Sequence, residues 1–183
     1  MFELRFNRNE IRDWAERYNM RYDLLVEGQI APRVRERQYY TRQEFLSLCQ
    51  WKAPRPRRKV EDNSEEFVCQ VTQTALRVSN ERLRIMVLTL LSGVNWPTAS
   101  VLLHFGHQEP YPIIDHRSLW ALNTPVPKKF QFEFWWDYVE FCRELSSEVG
   151  VSIRTLNRAL WQYSKENQKK EALKNIFMLG SGH

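Results

Sequence analysis

Apolar residues recur at helical spacing along almost the whole of the 183-residue chain. Ile11, Trp14, Ala15 and Tyr18 stand at i, i+3, i+4 and i+7, the spacing of one buried helix face. Thr41 followed by Glu44 is a capping box that opens a helix through Phe45, Leu48 and Cys49, and Asn63 followed by Glu66 repeats the device before Phe67, Val68, Val71 and Ala75. Asn80 caps a run from Leu83 to Leu91, dense enough in apolar residues to predict burial on most sides. Pro97 takes the first position of a helix reaching about Phe105, where its missing N–H costs nothing. Asp115 caps a helix through Leu122. The stretch "FQFEFWWDYVEFCREL" carries Phe134, Tyr138, Phe141 and Leu145 on one face, and Ser152 caps a helix with Ile153, Leu156, Leu160 and Trp161. "KKEALKNIFML" predicts a last, docked helix. No segment alternates long enough for a strand, so the pattern predicts a single all-α domain of about nine helices.

Composition agrees with a folded globule: 43% of the residues are hydrophobic and 13% aromatic. Cys49, Cys69 and Cys142 are odd in number and show no CxxC spacing, which argues against a disulfide framework and against a zinc or iron–sulfur site. His104, His107 and His116 do not form a metal set either, so neither metal nor cofactor is expected. The start "MFELRFNRNE" is charged, and no run approaches the roughly 18 apolar residues of a membrane span. These features predict a soluble, cytoplasmic monomer with no membrane partner, nucleoid-associated if bacterial.

Charge changes the picture through its location. Residues 31–60 hold nine basic side chains against Glu36 and Glu44, although the whole chain nets only +5. Lys52, Arg55, Arg57 and Arg58 crowd into a Pro/Arg connector over residues 51–62, where Pro54 and Pro56 forbid a helix interior. Such a stretch suits a polyanion, nucleic acid above all, and would add phosphate contacts. A solvated loop that only keeps the protein soluble is the other reading. The connector is also the best candidate for a cleft rim or a boundary between two helical lobes.

The segment "LSGVNWPTAS" turns one helix sharply into the next. Gly93 tolerates positive φ, and Asn95 is among the few other residues that do so readily. A corner this tight leaves N–H groups unpaired at the positive end of the second helix, a site for phosphate made by Gly93, Val94, Asn95 and the helix start at Thr98. An ordinary helix connection would look the same in isolation.

The surrounding residues resemble the signature region of the helix-hairpin-helix DNA glycosylase superfamily. Leu91, Gly93, Val94, Thr98 and Ala99 match its hairpin. Asp115, after Ile113 and Ile114 and at a helix start, stands where the family carries its essential aspartate, 18 residues beyond Pro97. The resemblance covers roughly residues 82–122. It implies a DNA base-excision enzyme acting on double-stranded DNA that holds a damaged or modified base. Pro97 occupies the slot of the lysine that forms a Schiff base in bifunctional members, so the implied mechanism is monofunctional and uses water. Asn95 replaces the second hairpin glycine, the four-cysteine cluster of one branch is missing, and His116 and Arg117 follow the aspartate.

Breaking an N-glycosidic bond moves positive charge onto the deoxyribose, and a fixed carboxylate near the sugar stabilises that transition state. At ~4 Å and an effective dielectric near 20 the Coulomb term is about 4 kcal/mol, roughly three decades in rate. The carboxylate of Asp115 could also orient or deprotonate the attacking water. As a helix cap alone it would contribute about 1 kcal/mol. Extrusion of the target base needs a pocket, for which Trp51, Tyr111 and Trp120 are the candidates; core packing is the competing role for each. A non-catalytic helix-hairpin-helix DNA-binding module is the alternative function.

Overall fold

The computed structural model describes residues 2–52 and 58–180, with side chains for 2–52 and 59–168. Among them the chain is all-α, with no strand. Ten α-helices follow in order: α1 Ile11–Glu16, α2 Ala31–Arg37, α3 Arg42–Lys52, α4 Arg58–Glu61, α5 Glu65–Arg77, α6 Glu81–Leu88, α7 Trp96–Gly106, α8 His116–Ala121, α9 Phe132–Glu148 and α10 Ile153–Gly180. Two of these, α2 and α4, have no counterpart in the periodicity reading, and two helices expected after residue 152 are one continuous α10. The side chains of its last part, "KKEALKNIFML", lie outside the described residues. No helix among the described residues is long and apolar enough to cross a membrane.

The chain forms two compact units. One takes residues up to 19, 115–129 and from 137 onward; the other takes 20–114 and 130–136. The chain therefore changes unit four times, after residues 19, 114 and 129 and within α9 after Trp136, and the Pro/Arg connector lies inside the second unit's span.

The second unit is organised around α7. Residues Thr98 to Gly106 are all buried, because "TASVLLHFG" offers no polar face and can only be an interior helix. Helices α2, α3 and α6 pack against it. Gly106 is a close-approach glycine: a Cβ there would stand 2.7 Å from the Tyr40 hydroxyl, which instead reaches the Leu102 carbonyl at 2.8 Å. Helix α3 opens on the expected capping box, Thr41 N–H donating to Glu44 at 3.0 Å and Glu44 N–H to the Thr41 hydroxyl at 3.3 Å. Helix α6 differs from expectation. It is buried along Arg84, Ile85 and Leu88, while Leu83 and Met86, and Leu90 beyond its end, are exposed. Arg84 is satisfied inside by the Ala75 carbonyl and Glu81.

The first unit packs α1 and α8 against α10. Its N-terminal segment is clipped to the residues after α8 by backbone bonds from Glu3 to Leu122 and Arg5 to Ala121, at 3.1 and 3.0 Å. The part of α9 in this unit buries Tyr138, Val139, Cys142 and Leu145, and Trp135, in the part that belongs to the second unit, is buried too. That is one residue round from the expected face, with Phe134 and Phe141 only half-buried at its margin. Burial pushes the Cys142 thiol up to about 12.

Candidate functional site

The hairpin belongs to the second unit and is fixed from below. Helix α6 ends at Leu88, three residues before the expected Leu91, and Leu91 N–H returns to the Leu88 carbonyl at 3.2 Å. Asn63 then clamps the turn. Its side-chain oxygen accepts from Ser92 N–H at 2.8 Å, and its amide donates to the carbonyls of Ser92 (3.0 Å) and Val60 (2.9 Å). Asn63 is therefore not the cap of α5. Ser64 takes that place, accepting from Phe67 N–H, which frees Asn63 to brace the hairpin.

Gly93 has φ +79, and a Cβ on it would meet Val60 Cγ1 at 2.8 Å, Val60 N at 3.2 Å and Lys59 Cβ at 3.3 Å. Glycine is required here twice, by its left-handed backbone and by the close approach of α4. Val94 is buried and returns its N–H to Leu91. Asn95 is not left-handed but extended (φ −111, ψ 176) and caps α7, accepting from the amide and hydroxyl of Thr98 at 3.1 and 2.9 Å. The helix begins at Trp96, so Pro97 sits in its first turn one residue later than expected.

Thr98 corrects one sequence expectation. It is 2% exposed and its donors are committed to Asn95, so it fixes the cap rather than reaching a ligand. Among the described residues, the amides of Gly93, Asn95 and Trp96 form no hydrogen bond. Ser92 and Asn95 at the tip are exposed, and so is Lys59 on the neighbouring α4. The corner thus combines unpaired N–H groups with Lys59, whose Cβ lies against Gly93.

Of the other candidate cations, Lys52 closes α3 and is half-buried. Arg55 and Arg57 lie outside the described residues, as does the side chain of Arg58. Trp51 is also half-buried in α3, edge-on to Phe105 at 5.3 Å, with its indole N–H on Asp23 at 3.3 Å. Tyr111 is fully buried, stacked on Trp135 at 5.9 Å, with its hydroxyl donating to Glu81. Its expected role as a pocket wall gives way to packing, because no face of the ring is open to a base.

Asp115 and Trp120 belong to the first unit. Asp115 caps α8, one carboxylate oxygen accepting from the amides of Arg117 at 3.0 Å and Ser118 at 2.9 Å. The residue is half-buried. The Tyr138 hydroxyl is held well above its usual pKa by burial first, with the charges of Cys142 and Asp115 adding to it. Trp120 is half-buried, stacked on Tyr163 at 5.8 Å with the Arg5 guanidinium 4.5 Å over its ring.

The hairpin, α4 and α3 are thus parts of one unit, whereas Asp115 and Trp120 are anchored in the other. Reading the sequence missed the Asn63 clamp and the shelf of α4. The signal was present, since Ser64 beside Asn63 is an equally good cap, but only long-range pairing decides between them. Among the described residues no group of three or more His, Cys, Asp or Glu is arranged to hold a metal ion. No family model, curated protein or solved structure matches the chain.

Proposed function

We propose that the chain is a monofunctional DNA base-excision glycosylase that hydrolyses the N-glycosidic bond of a damaged or modified base. One observation carries the reading: a glycine-dependent corner presents the amides of Gly93, Asn95 and Trp96 beside the exposed Lys59. Amides at a helix start bind phosphate through fixed dipoles, and lysine and arginine add charge without demanding a base sequence.

Asp115 supplies the chemistry. Two amides hold one of its oxygens, so the carboxylate is oriented without depending on a flexible stem. As the base departs with the bonding electron pair, positive charge grows on the sugar, and a carboxylate placed near it lowers the barrier. Water adds to the anomeric carbon and loses its proton, and the base leaves protonated. Pro97 carries no amine, so no covalent imine forms at that position, and strand cleavage is not part of the reaction.

The second reading is a non-catalytic DNA-binding module. It is favoured by the same two hydrogen bonds, because capping α8 is a sufficient reason for an aspartate at 115. A panel of duplexes carrying deaminated, alkylated, oxidised or hypermodified bases separates the two. Alkali-labile abasic sites should form on at least one duplex, and Asp115→Asn should slow their formation about a thousandfold while leaving DNA affinity within a few-fold. Absence of product on every duplex, with binding intact, would select the module.

A further inference from the structure

The first unit carries a second concentration of positive charge, built from side chains rather than backbone. Along α10, Arg154, Arg158, Trp161 and Lys165 succeed one another at spacings of four, three and four residues, which sets them in one row on a helix face. The row is about 16 Å long at 1.5 Å per residue. Two other elements close on it. Tyr18, just beyond α1, packs edge-on against Trp161 with centroids 5.3 Å apart. The guanidinium groups of Arg154 and Arg158 lie 5.7 and 5.6 Å from the Tyr18 ring centre. Arg117, in the first turn of α8, stands 5.2 Å over the Trp161 ring, and the Lys165 ammonium stands 5.0 Å from the same ring.

Four cations therefore surround two touching rings. Each cation–ring contact is worth about 0.5–1 kcal/mol at an exposed site, which offsets their mutual repulsion without neutralising it. The adjacent carboxylate, Glu166, is already engaged by Arg17 and by the Gln162 amide. Among the described residues no carboxylate forms an ion pair with Arg117 or Lys165.

We propose that this row is a phosphate-binding track for a nucleic-acid strand, separate from the hairpin and located on the unit that carries Asp115. Cations spread over this length of helix suit a polyanion, whose charges repeat along it, better than a single small anion. A membrane surface would instead call for exposed apolar anchors, whereas Tyr18 and Trp161 are half-buried under cations. The inference rests on the nucleic-acid reading of the protein for its choice of ligand, and not on catalysis by Asp115.

The test uses the full chain, a labelled unmodified duplex of about 20 base pairs, and affinity measured from about 50 to about 200 mM salt. The slope of log K against log salt should fall by about 0.9 in Lys165→Gln and by about 1.8 in the Arg117→Gln/Lys165→Gln pair, with Lys165→Arg retaining the parent slope. Lys165 is exposed, so its single variant tests the track even if the pair fails to fold. Parent binding with unchanged slopes in Lys165→Gln and in the pair overturns the track and leaves the hairpin reading standing. A parent chain that binds no duplex overturns both. A variant that loses binding to phosphatidylserine vesicles while its slope on DNA is unchanged assigns the row to a lipid surface, and also overturns the track.

Discussion

Helices α7 and α8 both begin at a side-chain oxygen that caps the first turn, Asn95 in one and Asp115 in the other. The caps are equivalent as hydrogen-bond acceptors and opposite as electrostatics. Asn95 is neutral and leaves the positive end of its helix dipole uncompensated, next to amides with no acceptor among the described residues. Asp115 spends the amides of Arg117 and Ser118 on one of its own oxygens and brings a negative charge to the same position. A neutral cap leaves a helix start suited to receiving an anion; a charged one makes the helix start a holder for a carboxylate. If the protein handles DNA, the first kind of terminus fits the phosphate and the second fits the sugar that becomes positive.

The contrast is most easily broken at Gly93, because the hairpin's geometry depends on backbone that no side chain can replace. Gly93→Ala imposes a left-handed alanine and drives its Cβ against Val60, a buried residue whose Cγ1 and backbone nitrogen lie 2.8 and 3.2 Å away. Strain of this kind costs about 1–3 kcal/mol, and the overlap adds about as much again. Urea unfolding should register a loss of about 2–6 kcal/mol, together with loss of duplex affinity. A variant as stable as the parent would mean that the corner can rearrange and is not a preset site.

Most of the fold was legible because it is written locally. The caps at Thr41, Asn80, Asp115 and Ser152 are all present, since each needs only an acceptor and an amide two or three residues on. Short-range signals failed where a residue had a better distant partner. Asn63 was free to cap α5 but bonds Ser92, 29 residues away. The candidate site divides in the same way. Gly93 and Asn95 sit at the corner as the motif suggested, although Asn95 does so as an extended cap and not through a left-handed backbone. Tyr111 and Thr98 read as ligand residues from their neighbours in sequence, yet both are buried with their polar atoms hydrogen-bonded. The ring of cations around Tyr18 and Trp161 was invisible because it draws on three separated segments.

A smaller perturbation sharpens the comparison by making the two caps alike. Asn95→Asp keeps an acceptor for Thr98, and Asn and Asp rank together as caps, so stability should change by no more than a few tenths of a kcal/mol. Duplex affinity should nevertheless fall by about tenfold at low salt, because a carboxylate in the first turn repels an incoming phosphate. The deficit should shrink as salt screens the added charge. Equal affinity for parent and variant would place the bound phosphate somewhere other than at this corner.

The smallest expected effect bears on Asp115, where stability rather than rate distinguishes the cap from the charge. Asp115→Ala removes the acceptor for two amides and should cost about 1 kcal/mol in unfolding free energy. Asp115→Asn retains an acceptor in the same geometry and should cost less than about 0.5 kcal/mol, the part that belongs to the carboxylate's interaction with the helix dipole. If that ordering holds, folding explains why an acceptor stands at 115 but not why it is ionised, and the charge is left for chemistry. If Asn destabilises the protein as much as Ala, the fold itself uses the negative charge, and the non-catalytic module becomes the simpler account of this residue.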